Sequence, residues 1–471
     1  MTAKTQFDGT RHSEPNDDAP PAPVAGARGA FRFRGAIEDL TRDECDELFD
    51  RTTSSDDAVR ARVAEIVARV RRDGDGALLE MARDYDGVIF PSAADLEVPR
   101  DRWREALAAL DPALRAAMER AARNVAAAHR AFLPAPARVE TEPGVVIERR
   151  AEPLAAVGVY APGGRASYPS SVLMGVVPAR VAGVGEVVVC SPPCGDTGLP
   201  SAVVLAAAEL ADADRVFAVG GAGAIAALAY GTPTIPRVDR VVGPGNAYVA
   251  EAKLQVAGAV AIDSPAGPSE LLVLCDFTAD PAAVAREVVA QAEHDPRAAV
   301  VVVAVGDEVG EQVATSVGDL LSDEAGDGVG RASIVREALA SRGGVLVAQT
   351  YDEAAAFASR YAPEHLQLVV NEPAEGPLLE RLRNAGTIFV GEASSVAFGD
   401  YMTGANHVLP TGGLARSYSG LSVLDFVRWT TYQRVSRRAA SSLAADVGTF
   451  ADSEGLPGHA AAARAWGRDR S

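Results

Sequence analysis

Among 471 residues the sequence holds only six histidines, His12, His129, His294, His365, His407 and His459, and four of them stand near an acid or amide in segments marked by glycine or proline. In VAQAEHD, Gln291 and His294 are three apart on a helical stretch and project from one face, so they suit a metal ion or a polar cluster at a helix end. In YAPEHL, Pro363 ends the preceding helix and leaves Glu364 and His365 adjacent at a loop-to-strand junction. A carboxylate beside an imidazole suits proton transfer near neutral pH, although the same dipeptide also reads as a solvated loop. GDYMTGANHVLPTGG sets Asp400 and His407 in a stretch too polar and glycine-rich for core and unusually decorated for a linker. EGLPGH places Glu454 and His459 on either side of a turn before a helix, where a plain C-terminal turn is the simpler reading.

Glycine-rich turns supply a second kind of chemistry. FAVGGAGAIAALAYG contains Gly221, Gly223 and Ala226 between a strand and a helix, a formal GxGxxA match that by itself also fits close strand-to-helix packing. GPGNAYVAEAK and PAGPSE add backbone amides in tight turns, where a phosphate could lie.

The elements that must hold these residues follow from apolar periodicity. From Ile37 to about Leu133 apolar residues recur at helical spacing, in VRARVAEIVARVRRDGDGALLEMARDYDG and REALAALDPALRAAMERAARNVAAAHRAF, which predicts an all-helical N-terminal region. After Val145 the texture changes to AAVGVY, a helix near SSVLMGVVPARVAG, then EVVVC, VLAAAEL, RVFAVG and AIAALAYG, the alternation of a parallel α/β sheet. A second α/β stretch starts near Ala266 with LLVLCD, the helix PAAVAREVVAQAEHD, the strand AAVVVVAV, and later GVLVAQT, HLQLVV and TIFVG. Beyond Thr411 the pattern reads as helical again. The first thirty residues, rich in Pro, Ala, Gly and charge without periodicity, read as a disordered tail.

Composition excludes several classes. The 45 basic and 64 acidic side chains leave a net charge of −19, and all but Lys4 and Lys253 of the basic residues are arginine, so nucleic acid is not the expected partner. Few lysines, many carboxylates and abundant alanine suit a surface adapted to high salt. Four scattered cysteines do not make a disulfide framework and predict reduced thiols in the cytoplasm. No apolar run is long enough to span a bilayer, and the N-terminus lacks a signal-peptide pattern, so no membrane association is expected.

Taken in order, YAPGGRASYPSSVLM, GPGNAYVAEAK, DSPAGPSE, QAEH, YAPEHL, GDYMTGANHVLPTGG and EGLPGH resemble the zinc-dependent L-histidinol dehydrogenase family from about residue 37 to 461. The resemblance implies oxidation of L-histidinol to L-histidine through L-histidinal with two NAD, the last steps of histidine biosynthesis. It implies one zinc ion (Zn2+) per subunit on Gln291, His294, Asp400 and His459, a mixed oxygen and nitrogen set suited to a borderline cation. Glu364 and His365 match the family's catalytic pair, His365 as acceptor of the alcohol proton and Glu364 as activator of the water that adds to the aldehyde. Ser269, His407 and Glu454 match substrate-binding positions, together with His365 and the zinc ligands. Tyr160 and Asn246 match NAD contacts. One departure stands out: where the family has glutamine in a GGAQAIAALA stretch, this chain has Gly223, which removes a side-chain contact to the cofactor.

The expected architecture is α/β, with two wound, incomplete Rossmann-like parallel sheets. It comprises a tail (1–30), a helical N-terminal region (31–150) packing on the second α/β domain, a first α/β domain on the NAD side (151–265) and a second with the zinc and catalytic residues (266–410). A small helical C-terminal domain (411–471) completes it, and the resemblance implies a homodimer in which that domain crosses to the partner. Two other functions fit parts of the pattern: a zinc hydrolase using Glu364 as base, which would not need the glycine-rich NAD segment, and a non-catalytic metal- or nucleotide-binding protein.

Overall fold

The computed structural model describes residues 30–52, 56–163, 167–195, 197–322 and 331–467. The expected tail, with His12, lies outside them apart from residue 30. The chain opens on β1 (Phe33–Ala36) and, after several helices, forms a hairpin of β2 (Ala137–Glu142) and β3 (Val145–Pro153). Five strands follow, β4 (Ala156–Tyr160), β5 (Glu186–Ser191), β6 (Arg215–Ala218), β7 (Arg240–Val242) and β8 (Ala261–Ile262). Five more belong to the second unit, β9 (Glu270–Cys275), β10 (Ala299–Val305), β11 (Gly344–Ala348), β12 (His365–Val369) and β13 (Thr387–Val390), before a last strand, β14 (Val427–Val435).

These strands make two parallel sheets, ordered β6-β5-β4-β7-β8 and β1-β11-β10-β9-β12-β13, and one antiparallel sheet, β14-β3-β2. ELLVLC and AVVVVAV can run as almost unbroken apolar segments because helices cover both faces of the second sheet, leaving β9 and nearly all of β10 buried. In the first sheet the strand order reverses between β4 and β7, beside the first strand laid down, and in the second it reverses between β9 and β12. Such reversal points open a crevice at the sheet edge.

Two expectations need correction. The N-terminal region does not pack mainly on the second α/β unit: its helices Asp57–Asp73, Arg100–Ala109 and Pro112–Phe132 pack on helices of the first. Val63, Ile66, Val67 and Val70 form one apolar face, and the alanine-rich helices Gly221–Tyr230 and Ala247–Val256 let it approach closely. Only the opening segment goes to the second unit, where β1 extends the sheet in parallel beside β11 and Leu48 enters the core. Nor is the C-terminal region wholly helical. VRWTTYQRV is rich in β-branched and aromatic residues, and β14 pairs with β3 along its whole length, from Val427 opposite Pro153 to Val435 opposite Val145. Beyond it the helices Arg437–Ser453 and Pro457–Arg464 pack on each other. No helix among the described residues is long and apolar enough to cross a membrane.

His129 ties the helix Pro112–Phe132 to the chain just before β14: its Nδ1 accepts the Val423 N–H at 3.1 Å, and the ring is 1% exposed. Burial pushes its pKa down to about 4. Because the folded value lies below the unfolded one, the unfolded chain takes up the proton first as pH falls. His129 therefore contributes full stability above its unfolded pKa of about 6.5, and that contribution is lost on acidification toward about 4. Asparagine can keep an acceptor there without titrating. Unfolding free energy from urea titrations is expected to fall across this window by roughly 3 kcal/mol more in the wild type than in His129→Asn; parallel profiles would absolve His129.

Candidate active site

The carboxyl edge of the first sheet and the amino edge of the second supply the proposed site residues. Tyr160 ends β4 and Gly243 follows β7, whereas Glu270 begins β9 and His365 begins β12. A sharp turn delivers the Glu364–His365 pair. The helix Tyr351–Tyr361 stops at Ala362, which takes a left-handed conformation (φ 55°), and Pro363 follows. The Pro363 and Glu364 carbonyls then accept the Gly386 and Thr387 N–H groups at 3.0 Å each, which fixes the backbone at the start of β12.

Glu270 holds both members of the pair. Its N–H donates to Glu364 Oε2 at 2.8 Å and its carbonyl lies 2.9 Å from His365 Nδ1. Its carboxylate accepts the Glu364 N–H at 3.3 Å and the Gly412 N–H at 2.7 Å. A carbonyl only accepts, so Nδ1 carries the proton and Nε2 is the basic nitrogen of the neutral ring. That Nε2 is buried, lacks a hydrogen-bond partner and sits 3.7 Å from Asp400 Oδ1. Burial alone would depress the imidazole, but the Glu364 and Asp400 carboxylates outweigh it and raise its pKa to about 9. Desolvation likewise drives the Glu270 carboxyl upward, against the pull of Arg51. Arg51 pairs with Glu270, donates to the Tyr361 carbonyl and lies 3.6 Å over the Tyr361 ring. His407 is lowered by burial, and its Nδ1 rests on the Asp400 carbonyl at 2.8 Å.

The remaining expected residues fall into two groups. Gln291 is buried near the end of the helix Pro281–Ala292, and its Nε2 has no partner. His294 lies in the turn beyond that helix rather than on its face, with Nδ1 3.5 Å from Ser269 Oγ. Through Ser269 and Glu270 this turn adjoins the Glu364–His365–Asp400 cluster. Glu454 and His459, by contrast, are exposed on the C-terminal helices and make no side-chain hydrogen bond or ion pair among the described residues. Nor do the described residues contain a group of three or more His, Cys, Asp or Glu that could hold a metal ion. Of the four expected zinc ligands, Asp400 belongs to this cluster, His294 adjoins it through Ser269, and Gln291 lies three residues before His294 near the end of the helix.

On the first sheet Tyr160 is buried, its hydroxyl accepts the Gly221 N–H at 3.1 Å, and burial pushes the phenol up to about 12. Asn246 caps the helix Ala247–Val256, its Oδ1 accepting the Tyr248 and Val249 N–H groups at 3.1 and 3.2 Å, which leaves its amide NH2 free to donate. Gly223 and Ala226 are buried inside the helix Gly221–Tyr230, so the GxGxxA match serves packing there. A Cβ at Gly223 would stand 3.0 Å from Met81 Sδ, and a glutamine must displace that thioether.

Two important residues escaped the sequence reading. Glu270 stands in DSPAGPSE directly after Ser269, so its neighbour was a signal. Arg51 is one arginine among 43, with nothing local to mark it. Arg51→Met strands the buried Glu270 carboxylate and is expected to cost about 3–5 kcal/mol of folding free energy. Adding Glu270→Gln is expected to recover part of that loss, because no charge then remains unpaired. A double mutant whose urea midpoint falls by the sum of the singles would refute the pairing.

The family model for histidinol dehydrogenase matches residues 49–466. Similar curated proteins are the histidinol dehydrogenases of Halobacterium salinarum (48% identity, 90% of this chain, 97% of that protein) and Methanosarcina barkeri (42% identity, 91% and 96%). Among solved structures, histidinol dehydrogenase from Elizabethkingia anophelis superposes with a TM-score of 0.87 at 31% identity, covering 94% of this chain and 99% of that one. The span matched by the family model, the identity to curated relatives and the superposition agree, and the chain belongs to the histidinol dehydrogenase family.

Proposed function

We propose that the protein oxidises L-histidinol to L-histidine through L-histidinal, with two NAD and a zinc ion held by Gln291, His294 and Asp400 of one chain and His459 of a second copy. The observation that carries this reading is the state of His365: buried, protonated on Nδ1 by its bond to the Glu270 carbonyl, with an unpartnered Nε2 beside Asp400. The net conversion takes the alcohol, one water and two NAD+ to the carboxylate, two NADH and three protons.

The donors fit zinc: an amide, an imidazole and a carboxylate, with the Gln291 Nε2 unpartnered and its amide therefore free to turn its oxygen toward a cation. When bound, zinc would supply polarisation of the alcohol oxygen, and NAD would accept the hydride. The chain's own groups move the protons. In its neutral form, which predominates above the ring's pKa of about 9, His365 Nε2 takes the alcohol proton during each hydride transfer. Glu364 takes a proton from the water that adds to the aldehyde, using Oε1, because Oε2 is engaged by the Glu270 N–H. Two acceptors side by side suit two half-reactions with different proton donors. Ser269, His407 and Glu454 would orient the substrate, and Tyr160 and Asn246 would contact NAD at the β4/β7 crevice. Four free cysteines, two of them buried, accord with a cytoplasmic location.

The C-terminal arm supports a shared site. Its helices pack chiefly on each other, and they leave Phe450 70% and Trp466 57% exposed, as befits a surface covered by a second copy.

The decisive experiment measures NADH formed per histidinol consumed, with and without a chelator. Two NADH, loss of activity on chelation and restoration by zinc are expected; a yield of one would sink the four-electron reading, and failure to bind NAD would favour hydrolysis. Complementation tests the exchange. His365→Ala and His459→Ala chains, each inactive alone, should after mixed refolding recover roughly one quarter of wild-type activity, because half the dimers then hold one intact site. No recovery would place both residues in one chain's site.

A further inference from the structure

Lys253 is one of only two lysines in a chain that otherwise uses arginine for every fixed cation, and Lys4 lies outside the described residues. It is 1% exposed, on the helix Ala247–Val256 that Asn246 caps. An ammonium has three donors and no plane, and here it meets three oxygens. Nζ donates to the Gly243 carbonyl and to the Ser264 carbonyl, each at 3.0 Å, and pairs with Asp263. Asp263 Oδ2 in turn accepts the Gly243 N–H at 2.8 Å. The pair therefore grips Gly243 on both of its peptide groups. Gly243 is the first residue of the Gly243–Pro244–Gly245–Asn246 turn. It sits at φ 115°, so close to β4 that a Cβ would fall 2.1 Å from the Tyr160 carbonyl oxygen. The other carbonyl gripped, that of Ser264, begins the crossover that leads to Ser269 and Glu270 in the second unit.

We propose that Lys253 is a positioning residue for the dinucleotide: its ammonium, with Asp263, locks the peptide groups of Gly243 so that the turn ending in Asn246 keeps the shape that receives the cofactor. This rests on the reading of the β4/β7 crevice as the NAD site. It explains why the one lysine in the described fold stands here. A guanidinium is longer and planar, and cannot direct three bonds from one point to two carbonyls and a carboxylate.

The test compares wild type, Lys253→Met and Lys253→Arg by calorimetric NAD binding and by steady-state kinetics. For both variants the Kd and KM for NAD are expected to rise about tenfold, while the KM for histidinol moves less than about twofold. A merely structural lysine would lower the melting temperature and the active fraction and leave NAD affinity unchanged, and that result, or full rescue by arginine, overturns the proposal. Should the variants not fold, Lys4→Arg enzyme labelled with 15N at the lysine side chain carries a single ammonium resonance, from Lys253. Its shift is expected to follow NAD saturation. A resonance that stays put while calorimetry records NAD binding refutes the positioning role alone. If wild type binds no NAD at all, the cofactor reading fails first and takes this role with it.

Discussion

Two carboxylates buried side by side repel each other and lose their hydration, and the site is built around the remedy. Glu270 and Glu364 both lie at the amino edge of the second sheet, and one buried arginine supplies the opposing charge. Arg51 arrives from the segment after the helix Arg42–Phe49, which packs on that sheet through Leu48. The early chain therefore belongs to the second unit because the charge balance of the site needs it there, even though the helices that follow cover the first.

With Arg51 in place, Glu270 can serve as the hub. Its main-chain N–H and C=O orient Glu364 and His365, and its side chain holds the backbone of Glu364 and of Gly412. Glu364 is left with one free oxygen, and His365 with a defined tautomer and a basic nitrogen facing Asp400. A pair of neighbouring residues on one strand thus acquires two distinct roles from a single partner in the next strand.

The two parallel sheets meet through opposite edges. The carboxyl edge of the first offers turns and a capped helix start, features suited to phosphates and peptide-scale contacts. The amino edge of the second offers side chains at strand starts. The stretch from Asp400 to Thr411 stitches them together. Asn406 donates to the Met174 carbonyl at 2.8 Å, Asn124 donates to the Met402 carbonyl at 2.7 Å, and the Thr411 hydroxyl accepts the Gly267 N–H at 2.6 Å. The short run Thr403–Gly404–Ala405–Asn406 suits this work, because it must satisfy main-chain groups from both units without bulk.

Local pattern was enough for much of this. Alternating strands and helices announced two wound sheets, since their periodicities are properties of short windows. Pro363 placed Glu364 and His365 at a strand start because proline acts on its immediate neighbours. Other features depend on partners distant in sequence. VRWTTYQRV became a strand because β3 offered it an edge, whereas its setting among helical segments suggested otherwise. His294 left the helical face because the helix ended two residues earlier, and the apolar stripe of Asp57–Asp73 does not name its partner. The sequence by itself determined which residues could do chemistry, because side-chain type and spacing are local. Only the tertiary structure decided which carboxylate Arg51 would neutralise, which nitrogen of His365 would stay basic and which peptide Lys253 would grip, because each of these buried bonds depends on a group between 10 and 219 residues away.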